Sequence, residues 1–301
     1  MNGGEVLLLG ASSQVGLFAL PRLLAKGFKV IAVSRRGRPG WYPRFGGVTW
    51  LDQEGLDHAG LRSVNMLLSA GPIRLAAESV QACPGLERAA IFSTSSVFSK
   101  LDSHDRSEKE CMQHILAQEA ELTTNCEARD VALSVLRPTL VYGCGLDGNV
   151  SWLAAWIRRF GFLPVAGAAG GLRQPVHADD LAAAATAALT TAGPVSLDTP
   201  LCGDSTLSFR QMAERIFAGL DLPARIVSVP GSMLVAVAHA CRLLPGLRGV
   251  RPEMIRRENV DLVFDDSAAR DVLGYRPRPF RPGPAEYALP DERRLRNLAA
   301  E

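Results

Sequence analysis

Two kinds of apolar pattern alternate along the first half of the chain. Short apolar runs at Val6–Leu9 (VLLL), Phe28–Val33 (FKVIAV), Val48–Leu51 (VTWL), Asn65–Ser69 (NMLLS), Ala89–Ser93 (AAIFS) and Leu133–Leu136 (LSVL) predict strands. The first has the unbroken hydrophobicity of a parallel strand covered on both faces. Between these runs, Leu17–Lys26 spaces its apolar residues at 17, 20, 23 and 24 and is followed by Gly27; it predicts a helix with a glycine stop. Ile73–Ala82 and Glu108–Glu127 predict two more. Strands alternating with helices predict an α/β fold, a parallel sheet wound on both faces through right-handed crossovers. Beyond Tyr142-Gly143 the alternation weakens. Trp152–Phe160, Asp179–Leu189 and Phe209–Leu220 read as helices with short strands between them, and Pro and Gly become frequent at 161–175 and 274–283. Residues 1–145 therefore read as the sheet core. Residues 146–301 read as a smaller, partly helical lobe that packs on the core and returns partly to the sheet. The apolar segment 226–244, above all Ile226–Cys241, reads as a buried or half-buried helix. It is too short to span a bilayer and is interrupted by Pro230 and Gly231, with a membrane-surface or partner-docking helix as the alternative.

Composition narrows the classes. The 301 residues are 47% hydrophobic and 21% charged, which excludes a disordered or collagen-like chain. Thirty-three Lys+Arg against 31 Asp+Glu leave a formal charge of +2, which argues against a strongly basic nucleic-acid binder. The six cysteines, at 83, 111, 126, 144, 202 and 241, form no C-x-x-C pair and have no accompanying histidine cluster, so no metal site is expected. The amino terminus has no charged leader or cleavage site, so reduced thiols and a cytoplasmic location are expected.

The first strand hands over to the first helix through Gly10-Ala11-Ser12-Ser13-Gln14-Val15-Gly16. A tight strand-to-helix turn presents free N–H groups and the positive end of the helix dipole, so it suits a pyrophosphate. Gly10, Ser12, Ser13, Gln14, Val15 and Gly16 are the candidate contacts. The second strand ends Ser34-Arg35-Arg36, where an NAD site usually offers an acid to the ribose 2′-hydroxyl. Two arginines suit a 2′-phosphate instead, so NADP is favoured over NAD; a solvated basic turn is the alternative.

The loop resembles the G-x-x-G-x-x-G of the extended and atypical short-chain dehydrogenase/reductases, the NAD-dependent epimerase/dehydratase family. Further segments resemble that family in order: Phe92-Ser-Thr94-Ser-Ser-Val-Phe98, Leu136-Arg-Pro138-Thr-Leu-Val-Tyr142-Gly143, Arg173-Gln-Pro-Val-His177-Ala-Asp-Asp180 and Leu273-Gly-Tyr-Arg-Pro277. The resemblance implies a Rossmann-type doubly wound sheet with a carboxy-terminal substrate lobe. It also implies that Asp52 meets the adenine, that Ala70-Gly71-Pro72 passes under the ribose, and that Pro138 joins the cofactor contacts. Arg173 and His177 would border the substrate. One departure is Ser13, which stands at the family's middle glycine.

A second departure concerns chemistry. The family uses a Tyr, a Lys four residues on, and a Ser or Thr from the fifth strand. Thr94 matches the last. The chain has four lysines, Lys26, Lys29, Lys100 and Lys109, and the residues four before them are Arg22, Ala25, Ser96 and Asp105. No Tyr–Lys pair exists. The best local alignment puts Glu110 and His114 at the two positions, and a shift by one puts Cys111 and Ile115 there. Glu110 and His114 share a helix face, and a histidine there suits proton transfer; an exposed surface pair is the plainer reading. Three functions follow as expectations. One is an NAD(P)-dependent oxidoreductase or epimerase-like enzyme acting on a small molecule, a nucleotide sugar or another carbonyl or hydroxyl compound. Another is a catalytically inactive NADP-binding sensor or assembly protein, and the third a lyase or isomerase on the same fold. A homodimer or a protein partner is compatible with each.

Overall fold

A computed structural model describes residues 4–101, 105–241, 255 and 257–301. In chain order the elements are β1 (Glu5–Leu9), α1 (Gln14–Ala25), β2 (Lys29–Val33), β3 (Val48–Leu51), α2 (Gln53–Asp57), β4 (Val64–Ser69), α3 (Ile73–Ala82), β5 (Arg88–Phe92), α4 (Ser96–Lys100), α5 (Arg106–Glu127) and β6 (Ala132–Pro138). The second half adds β7 (Leu140–Tyr142), α6 (Val150–Phe160), β8 (Leu163–Ala166), β9 (Leu172–Arg173), β10 (Pro175–His177), α7 (Ala178–Thr190), β11 (Leu197–Leu201), β12 (Leu207–Ser208), α8 (Phe209–Gly219), β13 (Ile226–Val229) and α9 (Gly231–Cys241). It closes with α10 (Ser267–Leu273), a 3-10 turn (Pro284–Tyr287) and α11 (Glu292–Leu298).

Seven strands form one sheet in the order β11-β6-β5-β4-β1-β2-β3, and every pairing in it is parallel. The strand order reverses between β1 and β4, the point where such sheets open a crevice at their carboxyl edge. This is the doubly wound Rossmann-type sheet that the alternating pattern predicts. The apolar runs are continuous because both faces are covered. Val6 and Leu8 of β1 join one layer with Phe18 and Leu20 of α1 and Leu181 and Ala185 of α7. Leu7 and Leu9 point the other way, to Ala76 and Val80 of α3 and Leu122 of α5. The side-chain period of a strand is two, so one run fills two cores.

A separate core serves the lobe. Tyr142, Leu153 and Ile157 meet Val165, Met212, Phe217 and Phe280 there. The lobe is bound to the sheet through α7, which packs on α1, and through β11 at the sheet's edge. The segment expected as one helix from Ile226 is divided. Ile226–Val229 pairs with β8 as a strand, and the helix starts only at Gly231. Branched residues favour the extended backbone, and Pro230 marks the change because its fixed φ suits a helix entry. Residues 242–244 of that apolar segment lie outside the described residues. No described helix is long and apolar enough to cross a membrane.

Beneath the sheet's carboxyl half a buried ion network ties four elements together. The Arg137 guanidinium of β6 donates to Glu119 of α5 at 2.9 and 2.8 Å and to Asp198 of β11 at 2.6 and 2.8 Å. Ser93, just after β5, donates to Glu119 as well. The Arg137 and Glu119 side chains are 6% and 8% exposed and Asp198 is 57% exposed, so the first pair is desolvated and the second is not. Removing one partner of a buried pair strands the other. Arg137→Met is therefore expected to destabilise the protein by about 3–5 kcal/mol in denaturant unfolding. Asp198→Asn should cost no more than about 1 kcal/mol.

Candidate functional site

The turn after β1 is set by close backbone approach. Gly10 has φ +70°, and a Cβ on it would lie 2.6 Å from the Ala70 carbonyl oxygen. A Cβ on Gly16 would lie 2.2 Å from the Gly10 carbonyl oxygen. Both positions therefore require glycine. Ala11 donates its N–H to Val33 O at 2.9 Å and Ser13 to Gly10 O at 2.8 Å, which folds the loop onto itself. The Ser13 hydroxyl caps α1 by accepting from the Gly16 N–H at 3.1 Å, and its own proton remains available. Among the described residues the N–H groups of Ser12, Gln14 and Val15 meet no acceptor. Free donors at a helix start fit an anionic diphosphate.

Around this turn the other proposed cofactor residues stand at strand ends. Ser34 follows β2 and donates its hydroxyl to Gly37 O. Arg35 and Arg36 follow it, exposed, and neither forms an ion pair among the described residues. Asp52 follows β3 and caps α2, accepting from the Gly55 N–H at 2.8 Å. Ala70-Gly71-Pro72 follows β4, and a Cβ on Gly71 would be 3.5 Å from the Gly10 nitrogen, so the two loops abut. Pro138 closes β6, and its carbonyl accepts from both the N–H and the hydroxyl of Ser95, at 3.2 and 2.9 Å.

A cleft of about 580 Å³ lies between this edge and the lobe, with Ser96, Lys100, Glu108, Thr139, Arg173 and Arg257 among its lining residues. Trp152, Phe209 and Phe264 supply apolar wall. Glu108 stands between two cations: Lys100 Nζ is 3.4 Å away and the Arg257 guanidinium approaches both carboxylate oxygens. Arg173 is buried, with its guanidinium donating to the carbonyls of Leu172, Val260 and Arg257 at 2.7, 2.6 and 2.5 Å. Thr94 sits beside the cleft, its hydroxyl accepting from the Ser96 N–H at 3.1 Å.

The remaining candidates stand apart from this cleft. The buried stripe of α5 runs through Met112, Glu119, Leu122 and Cys126. At 100° per residue, that stripe turns Glu110 and His114 to the opposite face. Glu110 is exposed and pairs with Arg106 at 2.7 Å, and exposed His114 bonds Gln118 at 2.9 Å. His177 does not line the cleft. Its Nδ1 accepts from the Asp179 N–H at 3.0 Å and caps α7, while Arg294 lies 3.3 Å from Nε2. The ring is packed between Phe18 and Tyr142, with centroids 5.6 and 5.2 Å away. Lys100, Glu108 and Arg257 were missed from the sequence. Glu108 and Arg257 are 149 residues apart, and nothing local marks their meeting. Lys100 had a signal in the scarcity of lysine. No group of three or more His, Cys, Asp or Glu among the described residues could hold a metal.

Burial pushes the His177 imidazole down to about 3, and the neighbouring Arg278 and Arg294 push the same way. Between pH 3 and the ordinary 6.5 the unfolded chain binds a proton that the folded chain refuses, so stability falls on acidification through that window. Comparing unfolding free energies at pH 7 and pH 5, the unmodified protein should lose about 2 kcal/mol more than His177→Gln, whose side chain can still cap the helix.

No family model matches the chain. A curated protein of Sinorhizobium fredii, y4nG, described as uncharacterized, is 30% identical over 146 residues, which are 48% of this chain; the match spans 36% of that protein's own length, about a third. Among solved structures, MoeE5 in complex with UDP-glucuronic acid and NAD aligns with a TM-score of 0.66 at 21% identity, covering 91% of this chain and 94% of that one. A variant of the UDP-glucuronic acid 4-epimerase of Bacillus cereus, also solved with NAD, aligns with a TM-score of 0.67 at 17% identity, covering 98% and 99%. An epimerase of Methanothermobacter thermautotrophicus reaches a TM-score of 0.70 at 15% identity over 99% and 92%. These likenesses establish a common fold.

Proposed function

We propose that this chain binds a nicotinamide dinucleotide at the β1–α1 turn and uses it on a hydroxyl or carbonyl group of a small molecule, of the nucleotide-sugar class, held in the neighbouring cleft. The observation that carries the reading is the shared edge. The diphosphate-suited turn follows β1, and the cleft is lined by Ser95 and Ser96 after β5 and by Thr139 and Leu140 after β6, so both stand at the carboxyl ends of the parallel strands. The residues fit the group: Gly10 and Gly16 hold the turn in a close backbone approach that a Cβ would break, and among the described residues Ser12, Gln14 and Val15 offer unpaired N–H donors. When bound, a nicotinamide ring supplies hydride exchange with carbon. Solved proteins of the same fold carry NAD with UDP-glucuronic acid or UDP-glucose, which supports the ligand class.

A second reading, a dinucleotide-binding protein without turnover, is favoured by one observation. The stretch of α5 that should carry the acid/base pair presents Met112 and Ile115 inward, while Glu110 and His114 face away. Turnover against tight but silent binding separates the two readings.

In the cofactor site, Arg35 and Arg36 are the groups we assign to a ribose 2′-phosphate, so the proposed cofactor is NADP. Calorimetry is expected to show NADPH binding more tightly than NADH. Arg35→Ala with Arg36→Ala should remove most of the difference, since each charge-assisted bond contributes about 1.5–3 kcal/mol. Equal affinities in the unmodified protein would reject NADP.

A further inference from the structure

Among the described residues four charged side chains line the cleft: Lys100, Glu108, Arg173 and Arg257. The two guanidinium groups stay charged at any ordinary pH and exchange no proton. Arg173 in addition gives three hydrogen bonds to backbone carbonyls. Among the described residues Lys100 and Glu108 are left as the proton-exchanging charged groups of the cleft, and they are paired with each other at 3.4 Å. Their elements explain the meeting. Ser96 and Lys100 are four residues apart on α4 and share its cleft-facing side. Glu108 belongs to the first turn of α5, one turn before Met112 on the inward stripe. Arg257 binds both oxygens of the same carboxylate. The other lysines are elsewhere: Lys26 and Lys29 are exposed at the opposite edge of the sheet, and Lys109 is exposed on α5.

We propose that Lys100 is the proton-transferring residue of the cleft and that Glu108 positions it. The inference rests on the hydride-transfer reading above. In the reducing direction, a substrate carbonyl carbon accepts hydride from the reduced dinucleotide while its oxygen takes a proton from the Lys100 ammonium. The carbonyl compound would be reduced to an alcohol, the dinucleotide oxidised, and the neutral amine would regain its proton from water; with a hydroxyl substrate and the oxidised dinucleotide every transfer runs in reverse, the neutral Lys100 amine taking the hydroxyl proton as hydride leaves the carbon. An ammonium suits this step, because the oxygen that receives the proton becomes far more basic than an amine as the hydride arrives.

The test uses the full chain with NAD or NADP, and UDP-glucose and UDP-glucuronic acid as probes. With four lysines in the chain, carbon-13 reductive methylation labels four side-chain amines besides the α-amino group, and the signal missing from Lys100→Arg is Lys100. Either probe is expected to shift that signal while those of Lys26 and Lys29 stay fixed. Glu108→Gln should move that signal, because the carboxylate beside the Lys100 amine is lost. Probe conversion should fall about 10²-fold or more in Lys100→Met, with dinucleotide affinity unchanged. It should stay low in Lys100→Arg, which keeps the charge and would rescue a merely structural role. A Lys100 signal blind to both probes, or conversion retained in Lys100→Met, overturns the assignment while leaving dinucleotide binding intact. Conversion of neither probe by the unmodified chain counts against it equally. Absence of dinucleotide binding in calorimetry is a different failure, which removes the underlying reading as well.

Discussion

The backbone of Gly10 lies so close to Ala70 on one side and to Gly16 on the other that no side chain fits at either glycine. This contact joins the first turn of α1 to the loop after β4, across the point where the strand order reverses. It fixes where the helix begins, and so where its unpaired N–H groups point. The Ser13 cap then takes one of those N–H groups out of play and leaves the others facing the crevice. The rest of the edge follows, since β2, β3 and β6 end at the same level and present Arg35, Asp52 and Pro138 around it.

The cleft is assembled by a different kind of force. Its walls come from α4, the first turn of α5, the β6–β7 junction and a segment after residue 256, and these are held by charge. Glu108 is the common partner of Lys100 and Arg257. Deeper down, Arg137 holds α5 and β11 against β6. Phe98 covers that guanidinium at 5.4 Å and meets the ring of Phe264 in the cleft wall at a tilt, with centroids 5.8 Å apart. The buried network and the cleft are thus mechanically continuous.

Much of the sheet was legible because its signals are local. An apolar run, a glycine and a helical spacing stand next to each other in the chain, as at Val6–Gly16. The division of Ile226–Cys241 into strand and helix was harder, because apolar composition alone does not separate the two and the deciding partner, β8, is some sixty residues away in sequence. The cleft was hardest. Glu110 and His114 attract notice by spacing, yet which face of a helix turns inward is decided by its apolar stripe, here Met112, Leu122 and Cys126. That stripe was readable and would have turned the search from position 110 towards position 108. The pairing of Glu108 with Arg257 had no such signal, since only the fold brings those residues together.

Arg173 ties its own strand to the 257–260 segment through one buried guanidinium, binding the carbonyls of Leu172, Arg257 and Val260. Leu172 and Leu262 are joined again by backbone, and Asp261 takes the Leu172 N–H at 2.8 Å. The wall that carries Arg257 to the cleft is therefore ordered by folding itself. A ligand entering there meets a preset surface, so the conformational entropy of arranging that wall is lost before binding and not during it. Selectivity at such a wall comes from rejecting shapes that do not match it, because the wall cannot rearrange to accept them.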